Sequence, residues 1–441
     1  MVYFELFESA KLVDSPQNLR NQVDERFFAR GLFVDRNKEA IMERWKSDDG
    51  VYHRQMIYPN LYSHIVGYNS YQYGKSGLEY KYNASLLNLS SSNPISKLKG
   101  QILDEGVGKN IQLTIDHGLQ MKAYYALEGH KGAIIAMDPR TGEILAMVSM
   151  PSFNVTNIEQ DWNTLFQMEK ESPFLNRASQ GLYPSGSVMK PITGLSLLKE
   201  NIDLEYDDKG TTVIDGFTYS NIYGMINGHI SLKEALIYSS NIYFADKVQE
   251  LPPSSLRSTM DEFMLNTSIP FDLPTQKASI FYDEGITKTE KASLSFGQGD
   301  GLVTPLHICL AYSAIANGGK IEKPVLVKAI LNSKNEEISR YSPEIISEIQ
   351  NKEDLPYIIE SLEETMKKNE SQAQIASFQV AGKTGTAENK SDQVHAWFAG
   401  FAPSKDPELV ITVLLEEEGE GGEAAASPIA GELFRYWFEE K

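Results

Sequence analysis

The chain has 441 residues, more than a single core of ordinary size accommodates, so two or three domains are expected. Hydrophobic residues at 41% and charged residues at 23% are the proportions of folded protein, and a net charge of −19 argues against nucleic acid or bare anionic lipid as the main partner, since both need clustered Lys and Arg. The single cysteine, Cys309, excludes an internal disulfide and a cysteine-rich zinc site; within LHICLAYSAIA it reads as a small buried hydrophobe.

The opening MVYFELFESAKL is apolar and aromatic for a chain end. It suits either an ordinary first element or the remnant that follows a membrane anchor. No run of about eighteen apolar residues occurs, so no spanning helix is expected in the chain as given. From Val2 to Asn110 the text is polar and rich in Tyr and Asn, with RGLFVDRNKEAI and IYPNLYSHIVGY as short strand-like runs between turn residues. This stretch reads as a small, β-rich module, with a boundary between residues 110 and 111.

After Asp116, the spacing of Leu119, Ala123 and Ala126 predicts a helix. GAIIAMDPRTGEILAMVS predicts a β-hairpin, because two apolar runs of strand length flank the turn formers Asp138 to Gly142. Residues 153 to 374 read as helix-dominated. FQVAGKTGTAE, HAWFAGFAPS and LVITVLLEE then predict three strands, and PIAGELFRYWFEE an amphipathic helix. An early hairpin, a helical middle, late strands and a last helix imply an α+β fold: an antiparallel sheet whose first and last segments meet, with helices on its faces.

Three polar groups carry the chemistry. In YPSGSVMKPITGLSLLKE, Ser187 and Lys190 are three residues apart, which on a helix brings their Cβ atoms to about 5–6 Å. Pro191 is tolerable only in a first helical turn, so the helix should begin at about Ser187, where free N–H groups favour negative charge on a nucleophile. A neutral Lys190 could take the serine proton if burial and a second cation, Lys383, keep it deprotonated. Alone, the pair is a common accident of helices.

In SLKEALIYSSNIYFADKV, Ser231 and Glu234 make a capping box for a helix ending near Tyr238. Ser239, Ser240 and Asn241 interrupt it, and suit either a plain helix–helix turn or a loop aimed into a cleft, with Ser239 passing protons and the Asn241 amide holding substrate. Lys383, Thr384, Gly385 and Thr386 lie in an otherwise apolar strand; they read as a charged edge or as a strand that receives a peptide and its carboxylate. In the second reading, the N–H groups of Thr386 and Ser187 would form an oxyanion hole.

Taken together and in this order, S-x-x-K, S-x-N and K-T-G resemble the signature of penicillin-binding proteins and serine β-lactamases. The surrounding text resembles that family too: GAIIAMDPRTGEILAMVSMPSFN, SFGQGDGLVTPLHICLAYSAIANGG and HAWFAGFAP. The spelling YPSGSVMKP departs from the commoner forms without losing a catalytic position. The resemblance covers residues 111 to 441, and the part before it is similar to a shortened pedestal of the class B, monofunctional members.

The resemblance implies a five-stranded antiparallel sheet flanked by helices, with a helical subdomain. It implies a D,D-transpeptidase with Ser187 as nucleophile, Lys190 as base, Ser239 and Asn241 as second motif, and Lys383, Thr384, Gly385 and Thr386 as third. Its partners would be peptidoglycan stem peptides, β-lactams and a membrane polymerase of the shape, elongation, division and sporulation group. Its place would be outside the cytoplasm, behind an N-terminal anchor not present in the chain. A D,D-carboxypeptidase or β-lactamase, and a non-catalytic sensor, are the competing readings. No cofactor or metal is expected, because the seven histidines show no ligand spacing. His395 and Trp397 read as packing residues, QGDG at 298 to 301 as a weak phosphate-loop lookalike, and Glu416 to Gly422 as a solvated turn.

Overall fold

The computed structural model describes residues 25, 27–88, 107–200, 202–389 and 393–441, and the apolar opening lies outside them. The chain divides into two compact units. The first comprises residues up to His117 and takes in two later segments, 151–174 and 325–342, that chain order alone assigns to the second.

The first unit is β-rich. Phe33–Val34 pairs in parallel with Asn110–Leu113, which pairs antiparallel with the returning strand Val327–Leu331, itself paired with Glu337–Arg340. Met42–Lys46 and Tyr52–Met56 form a separate hairpin. The buried Glu79 carboxylate accepts hydrogen bonds from Arg30 Nε (2.9 Å) and Nη2 (2.7 Å) and from Arg54 Nη2. Burial pushes this carboxyl up, but the two guanidinium groups outweigh it and hold it below its ordinary value.

The second unit is built on a sheet of five strands: β1 (Gly132–Met137), β2 (Ile144–Met150), β3 (Ala381–Glu388), β4 (Val394–Ala402) and β5 (Leu409–Glu418). Their order is β3-β4-β5-β1-β2, every pair antiparallel, so the last strand does meet the first. Helices cover both faces. Ile134, Phe398, Ile411 and Val413 join one core with Leu119 and Ala123 of helix α1 (His117–Ala126) and Leu433 and Phe434 of a C-terminal helix, Ala426–Arg435. The alternate positions face Pro305–Ala316, whose Cys309 is buried as expected. Burial on both faces explains why these strands read as continuous apolar runs and not as alternating ones.

The middle of the chain is helix-dominated, as expected, though not helical throughout. Among the described residues it also carries the pairs Tyr206–Asp208/Gly228–Ile230, Thr211–Ile214/Phe217–Ser220 and Lys320–Glu322/Ile345–Glu348. The second of these had a legible signal, Asp215-Gly216, whose positive φ angles of 47° and 83° are those of a tight hairpin turn.

Removing one partner of a buried ion pair leaves an uncompensated charge, so Glu79→Gln is expected to destabilise the first unit by about 3–5 kcal/mol. Denaturant unfolding followed by hydrogen exchange at residues 30–86 measures this; a change under about 1 kcal/mol would mean that the two arginines find other acceptors.

Candidate active site

Gly186–Met189 forms a tight 3-10 turn leading into helix α2 (Lys190–Lys199), with Pro191 in its first helical turn. The α-helix proper therefore begins three residues later than expected, and Ser187 sits in the turn that precedes it. The turn's conformation depends on Gly186, whose φ is +57° and whose missing Cβ would come 2.8 Å from Thr386 O. Strand β3 thus passes beside the Ser187 turn, bringing the third motif to the first. Trp397 Nε1 donates to Pro184 O (3.0 Å), fixing the approach to that turn; Trp397 is fully buried, as a packing residue should be.

The second motif joins α3 (Leu232–Ile237), opened by the expected Ser231/Glu234 capping box, to α4 (Asn241–Lys247). Ser239 has φ +57°, a conformation that non-glycine residues seldom adopt, and its carbonyl and hydroxyl both face the same amine. Lys190 Nζ donates to Ser239 O (2.7 Å), Asn241 Oδ1 (2.8 Å) and Ser239 Oγ (3.1 Å), and Ser239 Oγ donates to Ser187 Oγ (3.0 Å). The link from Ser187 to Lys190 thus runs through Ser239. The Phe244 ring, 5.8 Å from Nζ, forms part of the apolar wall.

Lys190 is 0% exposed, and burial first, then the charge of Lys383, pushes its pKa well below the ordinary lysine value. Lys383 is itself buried, which brings it down to about 8 against an opposing pull from Glu423. Both amines are thus buried and held below the ordinary lysine value. A lysine lowered in this way suits a base, and one that keeps its charge suits a cation for a carboxylate.

The reading of Glu416 to Gly422 as a solvated turn holds for the exposed Glu417, Gly419 and Glu420 but needs correction at both ends. Glu416 lies inside β5 and is largely buried; it accepts from Arg177 Nε (3.0 Å) and from the Tyr183 hydroxyl. Gly422 is not in a solvated turn either: a Cβ there would come 2.2 Å from Trp397 O and 2.5 Å from Gly385 O, and its N–H donates to Thr386 Oγ1 (3.4 Å). The run of glycines was the available signal for such a close approach.

Residues 132–436 match the family described as the penicillin binding protein transpeptidase domain, and residues 30–110 the penicillin binding protein A dimerisation domain. The chain belongs to the penicillin-binding protein transpeptidase family. It is 30% identical over 364 residues to a peptidoglycan D,D-transpeptidase, MrdA, of Acinetobacter baumannii, covering 75% of this chain but only 54% of that relative. The peptidoglycan D,D-transpeptidase PbpA of Mycolicibacterium smegmatis is 29% identical over 96% of this chain and 92% of its own. Among solved structures, penicillin-binding protein A of M. tuberculosis, as an imipenem acyl-enzyme complex, superposes with a TM-score of 0.87 at 26% identity, over 94% of this chain and 100% of that one.

For a penicillin-binding protein with these two amines, the rate of acylation by benzylpenicillin is expected to fall on both sides of a plateau. On the acid side Lys190 gains its proton; on the alkaline side Lys383 loses its own as pH rises through about 8. In Lys383→Arg, whose guanidinium stays charged to above about pH 12, the alkaline fall should vanish whatever the absolute rate. An unchanged alkaline limb in stopped-flow measurements would assign it to another group.

Proposed function

We propose that this chain is a peptidoglycan D,D-transpeptidase that cross-links stem peptides through an acyl-enzyme on Ser187 and is inhibited by β-lactams. The observation that supports it most is the continuous path Ser187 Oγ, Ser239 Oγ, Lys190 Nζ, ending on a lysine with no exposure to water.

A neutral Lys190 has two N–H donors and one lone pair. Ser239 O and Asn241 Oδ1 can only accept, so they take the two donors, and the lone pair is left for the Ser239 hydroxyl. Ser239 then donates to Lys190 and accepts from Ser187. When Ser187 Oγ attacks the carbonyl carbon of the penultimate D-alanine, its proton moves to Ser239 as the proton of Ser239 moves to Lys190. The chain then runs in the opposite direction, from the lysine ammonium outward.

The oxyanion of the tetrahedral intermediate would be held by the N–H groups of Ser187 and Thr386, and the substrate carboxylate by Lys383 with Thr384 and Thr386, while Gly385 lets the Ser187 turn lie close against the strand, since a Cβ there would come 3.2 Å from Ser185 O and from Val188 Cγ1. Collapse breaks the C–N bond, and the returning proton goes to the amine of the departing D-alanine. An amine of a second stem peptide then attacks the ester, loses a proton along the same path, and frees Ser187. Asn241 holds Lys190 through Oδ1, while its Nδ2 donates to Ser220 O (3.1 Å) and can turn to a substrate carbonyl.

The catalytic unit would work outside the cytoplasm, tethered at the membrane beside a polymerase of the shape, elongation, division and sporulation group. No helix of the described residues is long and apolar enough to cross a membrane.

Intact-mass spectrometry with benzylpenicillin, followed over hours, is expected to show one persistent adduct, absent in Ser187→Ala. Rapid loss of the adduct would favour a carboxypeptidase or β-lactamase with water as acceptor, and a lasting adduct without cross-linking of stem peptides would favour a sensor. Ser239→Ala, which interrupts the proton path, should slow acylation by roughly 10²–10⁴-fold; an unchanged rate would remove Ser239 from that path.

A further inference from the structure

We infer that Asp208 is a positioning residue for the reaction, acting through Asn221 to hold the Ser239–Asn241 turn against Lys190. This inference rests on the transpeptidase reading. Asp208 ends the strand Tyr206–Asp208, lies outside all three motifs and is buried. Its carboxylate accepts from Asn221 Nδ2 (2.9 Å to each oxygen), Ser240 Oγ (2.6 Å), Asn227 Nδ2 (2.8 Å) and Gly210 N–H (2.9 Å). All four partners are neutral donors, so the carboxylate is committed to orienting dipoles and not to an ion pair. Burial alone would raise its pKa, but these hydrogen bonds outweigh that and leave it below the ordinary value.

The consequence falls on Asn221. A carboxylate can only accept, so the Nδ2 end of the amide must face Asp208, and the side chain cannot be turned over. Nδ2 also donates to Met225 O (2.9 Å). Oδ1 is thereby aimed at the start of α4, where it accepts from Asn241 N–H (2.8 Å), Ile242 N–H (3.3 Å) and Ser240 Oγ (3.3 Å). Ser240 meanwhile accepts from Tyr243 N–H (3.1 Å). The second motif is therefore gripped at Ser240 and Asn241 from below, by two side chains of one network. The neighbouring Ser239 is left to hold its unusual φ with both its oxygens on Lys190.

A capping network that served stability alone would leave the chemical step of the folded enzyme intact; one that sets the Ser239–Lys190 geometry would not. The test separates the binding constant from the acylation rate constant for benzylpenicillin by stopped flow, with the finally acylated fraction counted by mass. Asp208→Asn keeps size but turns an acceptor into a donor. It is expected to lower the acylation rate constant by roughly 10- to 100-fold, with the binding constant within about threefold and the final acylated fraction as in the wild type.

Ser240→Ala, a milder cut in the same network, should lose rate in the same direction if Asp208→Asn folds poorly. A wild-type rate constant in Asp208→Asn, or a loss matched wholly by a lower acylated fraction, would overturn the inference. Should the wild type itself not be acylated, the transpeptidase reading fails. In that case amide exchange still tests the positioning: the Asn241 and Ile242 N–H groups should exchange faster in Asp208→Asn, and unchanged exchange would overturn it.

Discussion

A primary amine taken completely out of water governs the second unit of this protein. In the proposed mechanism Lys190 can act as base only while it is neutral, and a lysine is neutral near pH 7 only where its charged form cannot be solvated. The desolvation is the larger cause of its shift and the nearby Lys383 the smaller. Complete burial in turn demands that every hydrogen-bonding position on Nζ be filled by protein, and Ser239 O, Ser239 Oγ and Asn241 Oδ1 fill all three. A site built this way is sensitive to small displacements, because a gap wide enough for water would restore the proton affinity of the amine.

That sensitivity accounts for how closely the backbone segments are set. Gly186 against Thr386 and Gly422 against Gly385 and Trp397 are approaches that a Cβ would block. They fix β3, the edge strand carrying the third motif, against the Ser187 turn on one side and the segment after β5 on the other. The rest of the sheet provides the stiffness, since four of its strands are buried along almost their whole length and have little freedom to shift. Arg177 and Tyr183, converging on Glu416, tie the end of β5 to the stretch leading to Ser187.

The two lysines also show why net charge and site charge are separate quantities. The chain as a whole carries −19, which sets solubility and disfavours polyanionic partners, yet the candidate site holds two buried amines, and the charge of Lys383 lowers the proton affinity of Lys190. Burial first, and neighbouring charges second, decide the proton affinities.

By itself the sequence determined what is local. The hairpin around Asp138–Gly142, the Ser231/Glu234 box, the three late strands and the terminal helix could all be read, because a period, a cap or a turn dipeptide is written in neighbouring residues. The three motifs named polar residues that the fold brings together, because their spacing resembles a known pattern. Tertiary structure alone decided that Ser239 stands between Ser187 and Lys190, that Glu416 and Gly422 pack inward, and that 325–342 returns to the first unit. It also decided that Asp208 and Asn221 reach Ser240 and Asn241. These contacts join residues from about twenty to more than two hundred positions apart, and pairings at that range leave no periodic trace in either segment. They arise only when burying both faces of the sheet brings the segments together and each buried polar group must find its partner.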